Sequence, residues 1–233
     1  MLSVVRACLL FLVAACGRIS LDPVATRDAG SRDAPADAVD AVDAVDAVLG
    51  SICDAGVASC TVASSQQDFD VVQGANRWFY GFWDITNDSD ATYQQADFQE
   101  LAWINGEWRP PDWIDLPDPH FTWAYLAAWG GHPGSYPILR APIRRWVSPV
   151  AGPAIVRVTH AKADTSGGDG TRAVLVVDGA VLLTRDVAGT DGTGFVQDVP
   201  VTLAVGSRVD LMLHFIGDDS IDTTTQTMEI RSP

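Results

Sequence analysis

The segment GANRWFYGFWD, residues 74–84, is the most informative about the fold because it places five aromatic side chains within residues 78–83. Bulky aromatic residues suit the pleated, half-buried surface of a sheet, so this stretch predicts a β-strand in a tightly packed core. Gly81 interrupts the aromatic run without a side chain to pack, which indicates a bulge or a close approach of backbone. We expect the segments that follow to form sheets packed on this strand.

The segments after residue 84 alternate short apolar-rich runs with turn signals. Asn105-Gly106 and Asp178-Gly179 are typical of two-residue hairpins. No convincing amphipathic helix interrupts the pattern, which therefore predicts an antiparallel β-sandwich. Strands are expected at residues 69–72, 78–85, 102–104, 143–147, 155–160, 174–177, 181–184, 195–203, 209–216 and 227–230, and loops at 110–119 and 130–134.

Charge limits the kinds of partner. The 233 residues carry a formal net charge of −15, and Lys162 is the single lysine. An acidic chain with so little basic character argues against a nucleic-acid backbone or an anionic membrane surface as partner. It favours neutral ligands, cations or basic proteins. Although 47% of the residues are hydrophobic, no run reaches the roughly 18 apolar residues of a membrane span.

The first sixteen residues have the parts of an export signal, with Arg6 before a short apolar run at residues 7–13. The ending Val13-Ala14-Ala15-Cys16 resembles the lipobox of bacterial lipoproteins, in which cleavage precedes a cysteine that carries lipid. The resemblance implies a signal peptide at residues 1–15 and a palmitate-bearing Cys16 that anchors the exported chain to the bacterial cell envelope.

An ordinary signal peptide with an incidental cysteine is the alternative for this region. The residue after Cys16 is Gly17 rather than the aspartate often associated with inner-membrane retention, so the outer membrane is favoured for the anchor.

A compositional shift separates this signal from the aromatic stretch. Residues 37–48 repeat Asp-Ala-Val four times, and residues 17–52 contain no aromatic side chain. A period of three fits neither helix nor strand, and such a segment buries too little apolar surface to repay ordering. The sequence therefore predicts a lipidated N-terminus with a disordered tether over residues 16–52, ahead of a β-sandwich domain over 53–233. A transient alanine-rich helix is the alternative.

Two cysteines remain once Cys8 leaves with the signal peptide and Cys16 is lipidated. Cys53 and Cys60 stand seven positions apart at the boundary between tether and domain. In an exported chain such a pair most simply forms a disulfide. The alternative, a metal site, requires further thiols or a histidine nearby, and the sequence has none there.

Several short blocks in order are similar to a bacterial exported module of galactose-binding-like, carbohydrate-binding type. The resemblance covers about residues 66–230 and implies a jelly-roll fold and a glycan partner outside the cell. It is less specific for function, because this fold serves many ligands. The blocks are residues 78–82, 132–133, 144–149, 168–170 and 177–179.

Three tryptophans are candidate contacts for such a ligand. Trp108, Trp113 and Trp123 lie in or beside the proline-rich loop at 110–119, where a rigid backbone can hold an aromatic ring in solvent. The alternative is that these rings fold back over the sandwich. The aromatic residues at 78–83 and Trp146 are expected in the core.

Acidic residues cluster in two glycine-containing loops. Calcium takes several oxygen ligands at flexible geometry, and modules of the resembled type often hold a structural calcium ion. Solvated surface acid is the alternative, because the spacing is not that of an EF-hand. The candidate ligands are Asp164, Asp169, Asp218, Asp219 and Asp222.

No catalytic residues are predicted. Glu100, Glu107, Asp112 and Asp115 could supply the two carboxylates of a glycan hydrolase, but their spacing singles out no pair. Motifs of serine and zinc hydrolases are absent, and the four histidines are scattered, with His132 expected as a turn residue. We therefore expect a surface-anchored, non-catalytic lipoprotein that binds carbohydrate. An envelope protein-interaction or structural lipoprotein is the alternative, and a glycan-active hydrolase a further one.

Overall fold

Two antiparallel sheets form the described part of the chain, residues 60–114 and 123–233 of a computed structural model. The described residues belong to one compact unit. The strands are β1 Thr61–Ser64, β2 Trp78–Asp84, β3 Phe98–Glu100, β4 Ala102–Ile104, β5 Glu107–Arg109, β6 Tyr125–Ala127, β7 Gly130–His132, β8 Arg140–Val147, β9 Gly152–Lys162, β10 Thr171–Val177, β11 Ala180–Val187, β12 Phe195–Leu203, β13 Arg208–Phe215 and β14 Thr224–Arg231.

The strand order follows a jelly-roll pattern. One sheet runs β12-β9-β14-β7-β6-β5-β4, with β1 also paired to β14, and the other runs β11-β10-β13-β8-β2-β3. From β8 onward the chain repeatedly crosses between the sheets, which is the strand exchange of a jelly roll. The predicted fold class, an antiparallel jelly-roll β-sandwich, is confirmed.

Helical structure in residues 60–114 and 123–233 is restricted to three short 3₁₀ segments, Ala75–Arg77, Gln95–Asp97 and Pro111–Ile114. No helix of this part of the chain is long and apolar enough to cross a bilayer.

The aromatic strand β2 lies between β3 and β8. Trp78, Tyr80 and Phe82 are buried in the main core between the sheets, and Trp83 packs in a second cluster. Gly81 meets the predicted close approach, because an added Cβ would lie 2.3 Å from the Phe98 ring and 2.5 Å from the Gln99 carbonyl oxygen. The aromatic stretch therefore forms the core strand that its composition predicts.

Two sequence predictions about strands are wrong. Residues 69–72 form a turn region rather than a strand, because Asp70 accepts a hydrogen bond from the Val72 N–H at 3.0 Å. The predicted loop at 130–134 contains β7, whose glycines allow a crossing that other residues would block. At Gly130 an added Cβ would lie 1.9 Å from the Thr224 carbonyl oxygen.

The predictions for residues 1–59, which include Cys16, the tether and Cys53, lie outside the described residues. The Cys53–Cys60 disulfide therefore stays a prediction. Asp115, His120 and the end of the proline-rich loop also lie outside the described residues.

Candidate functional site

A cleft of about 600 Å³ opens at one end of the sandwich. Three connections meet there, at residues 133–139 between β7 and β8, 163–170 between β9 and β10, and 216–223 between β13 and β14. This volume lies within the roughly 300–1,000 Å³ of small-molecule sites. The lining residues, called the cleft below, are Trp123, His132, Tyr136, Asp164, Asp219, Ser220, Ile221 and Thr223.

Two aromatic side chains of the cleft reach solvent. Trp123 is 48% exposed and Tyr136 is 65% exposed. The Trp123 ring centroid lies 5.8 Å from that of His132, whose ring stacks on Tyr125 at 6.1 Å. Trp123 therefore has a packed layer of rings on one side and keeps about half of its surface available.

His132 is buried in the wall of the cleft. Its Nδ1 lies 2.6 Å from the Pro133 carbonyl oxygen, and because a carbonyl can only accept, Nδ1 must carry the proton. Burial lowers the pKa of His132, so the ring is neutral at pH 7 and its Nε2 is an acceptor. His132 is a strand residue of the cleft, which corrects its prediction as a turn residue.

Two carboxylates join the aromatic residues in the cleft. Asp219 accepts hydrogen bonds from the Ser135 N–H at 2.9 Å and the Ser135 hydroxyl at 2.5 Å, which ties two of the three connections together. Asp164 accepts from the hydroxyl and N–H of Ser166. These bonds, the hydroxyl bond first, lower the pKa of Asp164, so its carboxylate is charged at neutral pH.

A buried ion pair fixes the backbone of residues 219–223. Lys162 Nζ donates to the Ile221 carbonyl oxygen at 2.5 Å and to Asp222 Oδ1 at 2.6 Å, and both charged side chains are fully buried. Ile221 has φ of 64°, a left-handed conformation that is unfavourable for a β-branched residue. The Lys162–Asp222 pair therefore holds a strained cleft wall in place.

The three predicted ligand-contact tryptophans occupy different environments. Trp108 is 3% exposed, stacks on Tyr80 at 5.1 Å and donates its Nε1–H to the Asp70 carbonyl oxygen. The prediction that Trp108 presents its ring to solvent is wrong, because the core supplies partners for both the ring and its N–H group. Trp113 is partly buried under the Arg109 guanidinium and does not line the cleft. Trp123 lines the cleft.

The five predicted calcium ligands do not form one constellation. Within residues 60–114 and 123–233, no three Asp, Glu, His or Cys side chains converge to hold a metal ion. Asp222 is paired with Lys162, while Asp169 accepts from the Asp218 N–H and Asp218 from the Ser220 N–H. These five carboxylates do not converge on one point, and bound calcium stays a prediction that a chelator can test.

Sequence reasoning found part of this cleft. Trp123, Asp164 and Asp219 were each predicted as site residues, although the two acids were assigned to a metal. Tyr136 and His132 were missed, because the glycines and prolines around them indicated only a loop. A signal was present in Trp123, His132 and Tyr136, which place three aromatic rings within fourteen residues.

No family model and no curated protein matches the chain. Among solved structures, the chain is similar to the M60 catalytic domain with two CBM51 domains of Clostridium perfringens ZmpB, at 14% identity and TM-score 0.32. This match covers 45% of the chain but only 12% of that protein.

Two single modules are also similar. The CBM51 of Clostridium perfringens GH95, in complex with methyl-galactose, matches at 9% identity and TM-score 0.31 over 44% of this chain and 79% of its own. A family 35 carbohydrate-binding module of Clostridium thermocellum matches at 15% identity and TM-score 0.28 over 45% and 84%. Such low scores do not indicate what this chain binds.

Proposed function

We propose that the cleft binds a saccharide. The observation that carries the proposal is the placement of two exposed rings, Trp123 and Tyr136, beside the oxygen-bearing side chains of Asp164, Asp219 and Ser220. Sugars present apolar C–H faces that stack on aromatic rings and hydroxyl groups that need hydrogen-bond partners. Aromatic walls with a few placed polar groups are the usual composition of a ligand site.

The proposal places this module outside the cell as a non-catalytic lipoprotein. Its support is the lipobox-like ending at Cys16 and the Asp-Ala-Val tether that follows. By flexible-chain scaling the tether would let the sandwich range roughly 30–35 Å from the membrane, which suits capture of an external glycan. Labelled palmitate should enter the wild-type chain and not the Cys16→Ser variant, and equal labelling of both would rule out this anchor.

The saccharide proposal is tested on a glycan array with the full chain purified in detergent. Wild type should bind a defined set of glycans, and Trp123→Ala and Tyr136→Ala should each lose that binding while remaining folded. Trp129→Ala is the matched control, since Trp129 is 39% exposed and is not a lining residue. A parallel array with a chelator tests calcium. Binding that survives both cleft substitutions would exclude this cleft as the sugar site.

One observation favours a protein partner as a second candidate. Strand β11 ends its sheet, and Val181 and Leu182 on it are 61% and 44% exposed. Exposed sheet edges can pair with a strand of another chain. A Val181→Lys substitution should abolish capture of an envelope protein at this edge and leave glycan binding unchanged. Capture that is insensitive to this substitution would exclude the β11 edge.

A further inference from the structure

We infer that the saccharide of the cleft carries free, protonated amino groups, as in oligomers of 2-amino-2-deoxyhexose without N-acetyl substituents. The inference rests on the proposed function and specifies its ligand class. Four features support it: the charges that line the cleft, the position of the nearest cations, the remaining acceptor capacity of the carboxylates, and the aromatic rings beside them.

Among the described residues that line the cleft, both charged side chains are acidic. Asp164 and Asp219 line it, and neither forms an ion pair within the described part of the chain. Other aspartates of the sandwich do find cations, as Asp210 does with Arg145 and Asp198 with Arg157. The cleft therefore presents two carboxylates that form no ion pair with any described residue.

The cations behind the cleft are already paired. Lys162 has no exposed side-chain surface and is engaged by Asp222 and the Ile221 carbonyl oxygen. Arg109 pairs with Glu107 and lies against the ring of Trp113. Among residues 60–114 and 123–233, a uronic acid or sulfated sugar would thus meet two carboxylates and neither of these two cations, and like charges at a binding surface repel.

Both carboxylates keep capacity to accept further hydrogen bonds. Asp219 accepts two hydrogen bonds from Ser135, one at each carboxylate oxygen. Asp164 accepts two hydrogen bonds from Ser166, and both are at Oδ1. A carboxylate offers about four lone-pair sites. An ammonium group supplies donors and charge together, and charge-assisted hydrogen bonds are roughly twice as strong as neutral ones.

The aromatic rings, like the carboxylates, favour a positively charged ligand. Trp123 and Tyr136 present negative ring faces to any cation that lies over them. A sugar with an ammonium substituent could stack its C–H face on one ring and direct its charge to Asp164 or Asp219. An N-acetyl group would fill the same position without charge.

The test uses calorimetry on the full chain in detergent with three matched tetrasaccharides: β-1,4-linked glucosamine, its N-acetylated form, and a galacturonate oligomer. We expect the amine form to bind about three- to tenfold more tightly than the N-acetyl form, the range typical of one or two partly exposed charge contacts. The galacturonate oligomer should bind most weakly. The preference should shrink as salt rises from about 50 to 300 mM.

The Asp164→Asn substitution removes the charge of this side chain and keeps its shape, so it tests the contribution of the charge to binding. It should lower affinity for the amine form several-fold more than it lowers affinity for the N-acetyl form, because the amide still accepts from Ser166 but carries no charge. Asp198→Asn is the matched control, since it removes one negative charge from exposed β12 outside the cleft. If both substitutions act equally, the preference comes from overall charge, and the inference is overturned.

The outcomes distinguish a failure of the amine preference from a failure of the proposed saccharide binding. If none of the saccharides binds and the array is also blank, the saccharide proposal fails. If the N-acetyl or acidic oligomer binds as tightly as the amine form, the cleft is a sugar site and the amine preference is wrong. If spermidine binds as tightly as the amine oligomer, the cleft recognises a cation without reading a sugar, which overturns the inference.

Discussion

Trp108 and Trp123 show how differently one residue type is used in the sandwich interior and in the cleft. Trp108 stacks on Tyr80, and its N–H group finds the Asp70 carbonyl oxygen. Trp123 has rings on one side and solvent on the other. In the interior, protein contacts cover the Trp108 ring almost completely. In the cleft, about half of the Trp123 side chain stays exposed and available to a ligand.

Charged groups also differ between the interior, where they are paired, and the cleft. In the sandwich, Arg145 donates to both oxygens of buried Asp210 and to the Tyr93 hydroxyl. In the cleft, Asp164 and Asp219 form no ion pair with a cation of the described residues. Interior groups should therefore control stability and cleft groups should control binding, with Lys162 at the border controlling both.

The interior tryptophan is expected to have one of the two largest effects on stability. Trp108→Ala removes a buried ring from between Tyr80 and Trp103 and should lower the free energy of unfolding by about 3–5 kcal/mol. Urea denaturation measures this loss, and the folded fraction should bind ligand normally. A loss below about 1 kcal/mol would show that the core closes around the gap.

The border residue should affect both properties. Lys162→Met leaves Asp222 buried without its cation and should cost about 3–5 kcal/mol in unfolding free energy. It also removes the donor to the Ile221 carbonyl oxygen, so glycan affinity should fall as the cleft wall loosens.

The double variant Lys162→Met/Asp222→Leu is the control for Lys162→Met, because it removes the stranded charge. It should recover much of the stability but not the affinity. Full recovery of both would mean that the pair has no role in the cleft.

A pH titration tests one interior residue, His160. Burial lowers the pKa of His160 from 6.5 to about 4, with Nε2 bonded to Thr171 and Nδ1 to Gln226. The neutral ring contributes stability that is present above pH 6.5 and is lost as pH falls toward 4, by about 3 kcal/mol.

Asp222 has the opposite effect on stability as pH falls. Burial raises its pKa to about 6, so protonation below that pH removes a buried charge and favours the folded state. The difference between wild type and His160→Gln, measured by thermal unfolding from pH 7 to 4, isolates the histidine. Parallel curves for the two proteins would contradict the assignment.

The smallest stability effect belongs to the cleft ring. Trp123→Ala should change the unfolding free energy by no more than about 0.5 kcal/mol, because exposed substitutions have little effect, while glycan binding is lost. A large stability loss would place Trp123 in the interior group and remove the basis of the comparison.

The fold was predictable because its signals are local. Alternating strands, and glycine-containing hairpins with positive φ at Asn105 and Asp178, depend on neighbouring residues. The cleft was only partly predictable because its walls come from separate connections. That Gly130 crosses Thr224, or that Asp219 bonds Ser135, depends on contacts between distant parts of the chain. Such contacts decide which acids face a ligand.

The left-handed Ile221 has a consequence for the speed of recognition. The hydrogen bond from Lys162 holds this unfavourable backbone geometry. A wall held by the protein's own contacts should need no slow rearrangement when a glycan binds. Association should therefore follow a single exponential whose rate rises linearly with glycan concentration.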